Sequence, residues 1–246
     1  MSLVAVAVMA LQVSALITQA RSEPVVVAEQ KTLRYTGEIT SDGVSRVESL
    51  LAAHPDIRIL EINSTGGSID RGIDLGLLVF RHGLDVHVTG SMCMSSCANY
   101  VFTAGRRKVI EPGAVVVWHG SAIQKGLFAF KNADISFIPD EFGREPNWLE
   151  RLYARLYSRW KWSQLARSVK RRQAEFFKLI RVDPEVTVFG QTHGCKCQWT
   201  LSPEDMTAFG IKNVSAYPGY GTQEGHAIYT EWKLLQVRDS SAAGQH

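Results

Sequence analysis

Several things are scarce or missing in this 246-residue chain, and each shortage removes a class of function. No Walker-type phosphate loop occurs, so any ATP-driven work would belong to a separate protein. The net charge is only +3, too small to argue for a nucleic-acid partner, and the basic stretches carry no recognised nucleic-acid module. No internal repeat is present. Cysteine is limited to Cys93, Cys97, Cys195 and Cys197. Neither Cys-x-x-x-Cys nor Cys-x-Cys has the usual zinc-finger spacing, so a zinc site, with His193 as a further ligand, is the lesser reading and we expect no metal. The apolar run from Leu3 to Ala20 is broken by Gln12, Ser14, Thr18 and Gln19, and its uninterrupted part is short for a membrane span. No lysine or arginine precedes it.

What is present describes a globular α/β chain. Hydrophobic residues make up 45% of it, ample for a core at this length. Residues 3–20 read as a secretory signal or signal-anchor ending in small residues at Thr18-Gln-Ala20, with a buried N-terminal helix as the alternative. That places the protein outside the cytoplasm, in the periplasm or cell envelope, with membrane association through this segment. Residues 21–32 read as a polar linker. Folded sequence is expected from Leu33, with strands at 33–39, 57–63, 84–89, 108–111 and 114–119 and helices at 41–53, 68–82 and 96–104. Ser41 or Asp42 is expected to cap the first helix. Strand–helix alternation of this kind implies a mostly parallel sheet.

Three segments carry chemistry. Ser91-Met-Cys-Met-Ser-Ser-Cys97 joins a β-branched strand to an apolar helix. A hydroxyl at such a turn faces unpaired N–H groups and the positive end of the helix dipole, which suits a serine nucleophile. The bland alternative is that Ser95 and Ser96 only cap the helix. Upstream, Asn63-Ser-Thr-Gly-Gly67 follows a strand, and paired glycines leave backbone N–H groups bare for an oxyanion. Downstream, the strand Ala114–Trp118 delivers His119 at its C-terminal end, the edge where ligands bind in open α/β sheets.

On these residues the chain resembles the proteolytic subunit of the Clp protease and the wider Clp/crotonase superfamily. The Gly67-to-Ser96 spacing, Asp85-Val86, Gly105 and Leu201-Ser-Pro-Glu with Phe209-Gly210 match that pattern, and Trp118-His119 does so after a short deletion near Arg106-Arg107-Lys108, over about residues 33–135 and 198–214. The resemblance implies an α/β Clp/crotonase-like fold of repeated β-β-α/βαβ units with a mostly parallel sheet and an inserted helical arm at about 140–182. It implies a peptidase in which Ser96 attacks a peptide carbonyl and His119 serves as base, without a cofactor. The N–H groups of Gly67 and Cys97 would hold the oxyanion, each worth about 3 kcal/mol. It also implies a peptide or protein substrate and a homo-oligomer. Ser95 is the alternative nucleophile. Gln198 falls where the family has its aspartate, Gly120-Ser121 replaces a proline, and Met92 replaces a glycine. Asp183 or Asp205 stands as a substitute acid. Lys125, Lys131 or Lys161 is available as base in the manner of signal-peptide peptidases. A member that binds peptides or a partner without cleaving them is the alternative function. A crotonase-type thioester reaction is disfavoured, because acyl-CoA is cytoplasmic.

Two features remain. Residues 146–181 hold aromatic and leucine positions opposite Arg151, Arg155 and Arg159, followed by a second basic stretch, and read as two helices. Packing on the sheet, a subunit interface and an anionic membrane surface compete there. In an exported chain the four cysteines suggest disulfides: Cys93 with Cys97, or either with the Cys195-Lys-Cys197 loop, a direct Cys195–Cys197 bond being strained. Residues 216–246 read as a C-terminal tail.

Overall fold

The computed structural model describes residues 23–127, 148–222, 224 and 232–237, so the apolar stretch 3–20 and Lys131 lie outside the described residues. Among the described residues no helix is long and apolar enough to cross a membrane.

A seven-stranded sheet forms the centre. Its order is β1 (Val25–Glu29), β2 (Thr32–Thr36), β3 (Ile59–Ser64), β4 (Asp85–Met94), β5 (Lys108–Ile110) and β8 (Val214–Ala216), with β6 (Val115–Val117) also beside β4. The β1–β2 pair is antiparallel and every other pairing in this sheet is parallel. The expected mostly parallel α/β architecture is therefore present. Parallel strands covered on both faces must be apolar throughout. Accordingly Leu60, Ile62, Val86, Val88 and Val116 are fully buried.

Helices α1 (Ser41–Ala53) and α2 (Ile69–His82) follow β2 and β3. Thr40, rather than Ser41 or Asp42, caps α1, its hydroxyl accepting from the Gly43 N–H at 3.1 Å. Ser68 caps α2 in the same way, and Gly83 ends it in the left-handed conformation at φ 61°. Asp70 and Asp74 on α2 bind Arg172 and so dock α4 (Trp148–Ile180) against it. α4 is one helix of 33 residues where two were expected.

Two more differences from the sequence reading concern chain ends. Residues 25–29, taken as linker, form the edge strand β1. Within the stretch read as tail, β9 (Lys233–Leu235) pairs with β7 (Trp199–Leu201) in a small second sheet. α5 (Phe189–Thr192) precedes β7 and α6 (Pro203–Ala208) follows it.

The strand that positions the site is β4. It was expected to stop at Thr89 but runs on to Met94. Gly90, at φ 66°, divides it into a half paired with β5 and a half paired with β6. The Asn63 side-chain oxygen accepts from the Ser91 N–H, the Ser91 hydroxyl and the Met92 N–H at 3.2–3.4 Å, which holds the strand across that break.

Candidate active site

Past Met94 the chain turns sharply. Ser95 sits at φ 59°, a left-handed conformation that costs a non-glycine residue about 1–3 kcal/mol and that clusters at functional sites. Its N–H still holds the sheet by donating to the Val117 carbonyl at 3.1 Å. Ser96 then opens α3 (Cys97–Phe102), a helix wound with π-type spacing whose six residues are all buried. Cys93 and Cys97 are disulfide-bonded across this turn, one of the pairings the sequence left open.

The Gly-Gly turn lies directly on the serine turn. A methyl group on Gly66 would come within 2.7 Å of Ser95 Cβ and 2.9 Å of Ser96 N, so only glycine permits the approach. Gly66 also sits at φ 97°, with its N–H donated to the Ser64 hydroxyl. The Ser96 hydroxyl donates to the Gly67 carbonyl at 2.7 Å and is only 2% exposed. Ser95, at the apex, is half-buried. Two of the three predicted elements, the serine doublet and the glycine pair, are thus in contact.

His119 is placed differently. It follows β6, whose Val117 is paired with Met94, so its backbone is next to the serine turn by register. Asn99 on α3 strengthens this tie, its amide donating to the Gly120 carbonyl at 2.8 Å. The imidazole, however, is exposed and lines a cavity of about 760 Å³ with Gln124, Glu185, Gln191, Lys196 and Gln198. Neither serine lines that cavity. Gln191 holds the His119 carbonyl at 2.9 Å.

Gln198 lines the same cavity, yet its side-chain oxygen accepts from the Trp232 indole at 2.7 Å. Asp183 caps the turn Pro184–Thr187, and Asp205 accepts from the Ser202 hydroxyl and the Val237 N–H. Lys125 lines the His119 cavity, whereas Lys161 is exposed on α4. Cys195 and Cys197 are bonded to each other, the pairing the sequence disfavoured as strained. Among the described residues no cluster of His, Cys, Asp and Glu is arranged to hold a metal.

Sequence reasoning missed Gln173. This fully buried residue of α4 accepts from the Tyr100 hydroxyl at 2.7 Å and the Ala122 N–H at 3.1 Å, and donates to the Ser121 hydroxyl at 3.1 Å. It therefore joins α4, α3 and the loop after His119. Its signal was a lone amide three residues before the apolar pair Phe176-Phe177. Burial pushes the Tyr100 hydroxyl well above its ordinary range, so it stays a neutral donor to this network.

No protein-family model and no curated protein matches the chain. Solved structures do. A variant of ClpP1 from Listeria monocytogenes is 16% identical over 77% of this chain and 93% of that one, with a TM-score of 0.44. A variant of the 1510-N membrane-bound stomatin-specific protease is 11% identical over 78% of this chain and 81% of that one, also at 0.44. A further match to ClpP1 from the same organism is 20% identical over 35% of this chain at a TM-score of 0.32, and spans 55% of that protein's length. The chain is similar in fold to these proteins.

Proposed function

We propose that the chain is a Clp-like serine hydrolase of peptide bonds that acts through an acyl-enzyme on Ser96. The observation that carries this reading is the seating of a strained strand–serine–helix turn on a Gly-Gly turn, with the Ser96 hydroxyl 2.7 Å from Gly67. The N–H groups of Gly67 and Cys97 then hold the developing oxyanion beside the nucleophile. His119 serves as base by swinging out of its cavity. Its exposure supports this, because an exposed ring can turn without displacing the core. Once the imidazole takes the Ser96 proton, the donor bond to the Gly67 carbonyl is replaced by attack on the substrate. The position that resembles the family's aspartate holds Gln198, whose side-chain oxygen is taken by Trp232, so turnover is slow: an amide in place of the carboxylate costs on the order of 10⁴ in rate elsewhere.

Export to the periplasm or envelope and an N-terminal membrane tether belong to the same proposal, on the strength of residues 3–20. So does self-association. Trp148, Leu152, Tyr153, Leu156, Tyr157 and Trp160 are all exposed on the first half of α4, and a second copy of the chain is the occupant we assign to that face.

One observation favours a second reading, a peptide-binding protein without turnover: the buried Ser96 hydroxyl is already committed to a carbonyl. A fluorophosphonate probe separates the two. A hydrolase is labelled, and labelling is lost in Ser96→Ala and His119→Ala but kept in Ser95→Ala. A binder stays unlabelled while retaining its peptide.

A further inference from the structure

The Cys195–Cys197 bond differs from the other disulfide in its exposure and in the size of the ring it closes. Cys93 and Cys97 are fully buried in the core. Cys195 and Cys197 are only partly buried, flanked by exposed Gly194 and Lys196, and they form part of the wall of the 760 Å³ cavity. The ring they close contains a single intervening residue. So small a loop constrains the unfolded chain little, so the bond adds little to the fold. Exposed and strained disulfides are the labile or catalytic ones, whereas buried ones resist reduction.

The surroundings suit an exchange reaction. Lys196 lies between the two cysteines in sequence and lines the same cavity as Lys125, with Glu185 as the opposing charge. Cations beside a sulfur favour its thiolate and so make it a better leaving group. The cavity volume is in the range of small-molecule sites, roughly 300–1,000 Å³. His119 lines it too.

We propose that Cys195–Cys197 is a thiol–disulfide exchange site that accepts small thiols or cysteine-containing peptides. A substrate thiol gives its proton to His119 or water, and its thiolate attacks one sulfur of the pair. A mixed disulfide forms as the Cys195–Cys197 bond breaks, and the bonding electrons leave on the other cysteine as thiolate. A second substrate thiolate attacks the substrate sulfur of the mixed disulfide, releasing the substrate disulfide and the second cysteine. Two substrate thiols are oxidised by two electrons, and the protein disulfide is reduced to a dithiol. Neither serine takes part in this exchange, although His119 is shared with the chemistry proposed above.

The test uses the full chain equilibrated over a series of reduced-to-oxidised glutathione ratios, trapped by alkylation and mapped by mass spectrometry. The expected result is that Cys195 and Cys197 become alkylated at ratios that leave Cys93–Cys97 closed. The oxidised protein should also convert a reduced dithiol peptide to its disulfide in stoichiometric amount. This conversion is lost in the Cys195→Ser/Cys197→Ser variant and slowed in Lys196→Glu, which keeps both sulfurs and changes only an exposed position. The idea is overturned if both disulfides open together or neither opens, or if the double variant oxidises the peptide as fast as the native chain.

Discussion

Asp85 shows how a single side chain sets the pH range of the fold. It begins β4 with its carboxylate buried, and Arg106 and Arg107 both donate to it at 2.6–3.1 Å. Burial pushes the carboxyl up, but the two guanidinium groups outweigh it and hold it at about 2. A depressed carboxylate stabilises the fold above its unfolded value, near 3.8, and loses that contribution as the pH falls towards 2. Asp85→Asn should therefore cost about 2 kcal/mol at neutral pH and flatten the acid limb of stability between pH 4 and 2, measured by urea unfolding. Lys108 has the opposite sign. Burial lowers its ammonium to about 8, although it donates to the Gly105 and Lys212 carbonyls. The charge is a cost that is complete below pH 8 and is relieved as the pH rises towards 10.5. Stability should climb over that interval in the native chain and stay level in Lys108→Met.

At the scale of elements, the placement of the site depends on small and polar residues that pack strand against helix. Gly72 on α2 leaves room for α3: a methyl group there would lie 2.7 Å from both Ser96 Cβ and Tyr100 Cδ2. Gly72→Ala should push α3 away and lower stability by about 1–3 kcal/mol, read in the midpoint of thermal unfolding, with loss of probe labelling at Ser96. Gln173→Leu would orphan the buried Tyr100 hydroxyl and the Ala122 N–H, while Ser121 keeps its bond to Thr187, and should cost a similar amount, about 1–3 kcal/mol per unpaired group. Much of this level was legible in the sequence. The Gly-Gly turn, the serine turn and the strand carrying His119 are where spacing put them. The division of β4 at Gly90 was not, because nothing local says that Asn63, from a neighbouring strand, will bridge it. β1 was missed for the same reason: Val25–Glu29 is a short edge strand that gains order only by pairing with β2. The single α4 was readable in one respect, since no glycine or proline occurs from Trp148 to Ile180 to stop the helix. The side-chain partners of Gln198 were beyond reach, because Trp232 meets it only when the second sheet forms.

For the molecule as a whole, the exposed aromatic half of α4 is the feature least compatible with a solitary monomer. Trp148 and Tyr153 are 71% and 70% exposed, and Trp160 is 57%. Their Phe176 and Phe177 counterparts further along the same helix are buried. Analytical ultracentrifugation should find an oligomer, and a Trp148→Ser/Leu152→Ser/Trp160→Ser variant should sediment as a monomer with its unfolding midpoint little changed. A native chain that is monomeric at high concentration would remove the assignment of a second copy to this face.

Whether the serine turn, the glycine pair and His119 work together is decided by the structure of the fluorophosphonate-treated protein. The expected adduct is on Ser96 Oγ, with the phosphonyl oxygen accepting from the Gly67 and Cys97 N–H groups and His119 turned out of its cavity to within about 3 Å of Oγ. An adduct elsewhere, or a Ser96 adduct with His119 still lining the cavity beside Gln198, would contradict the hydrolase proposal.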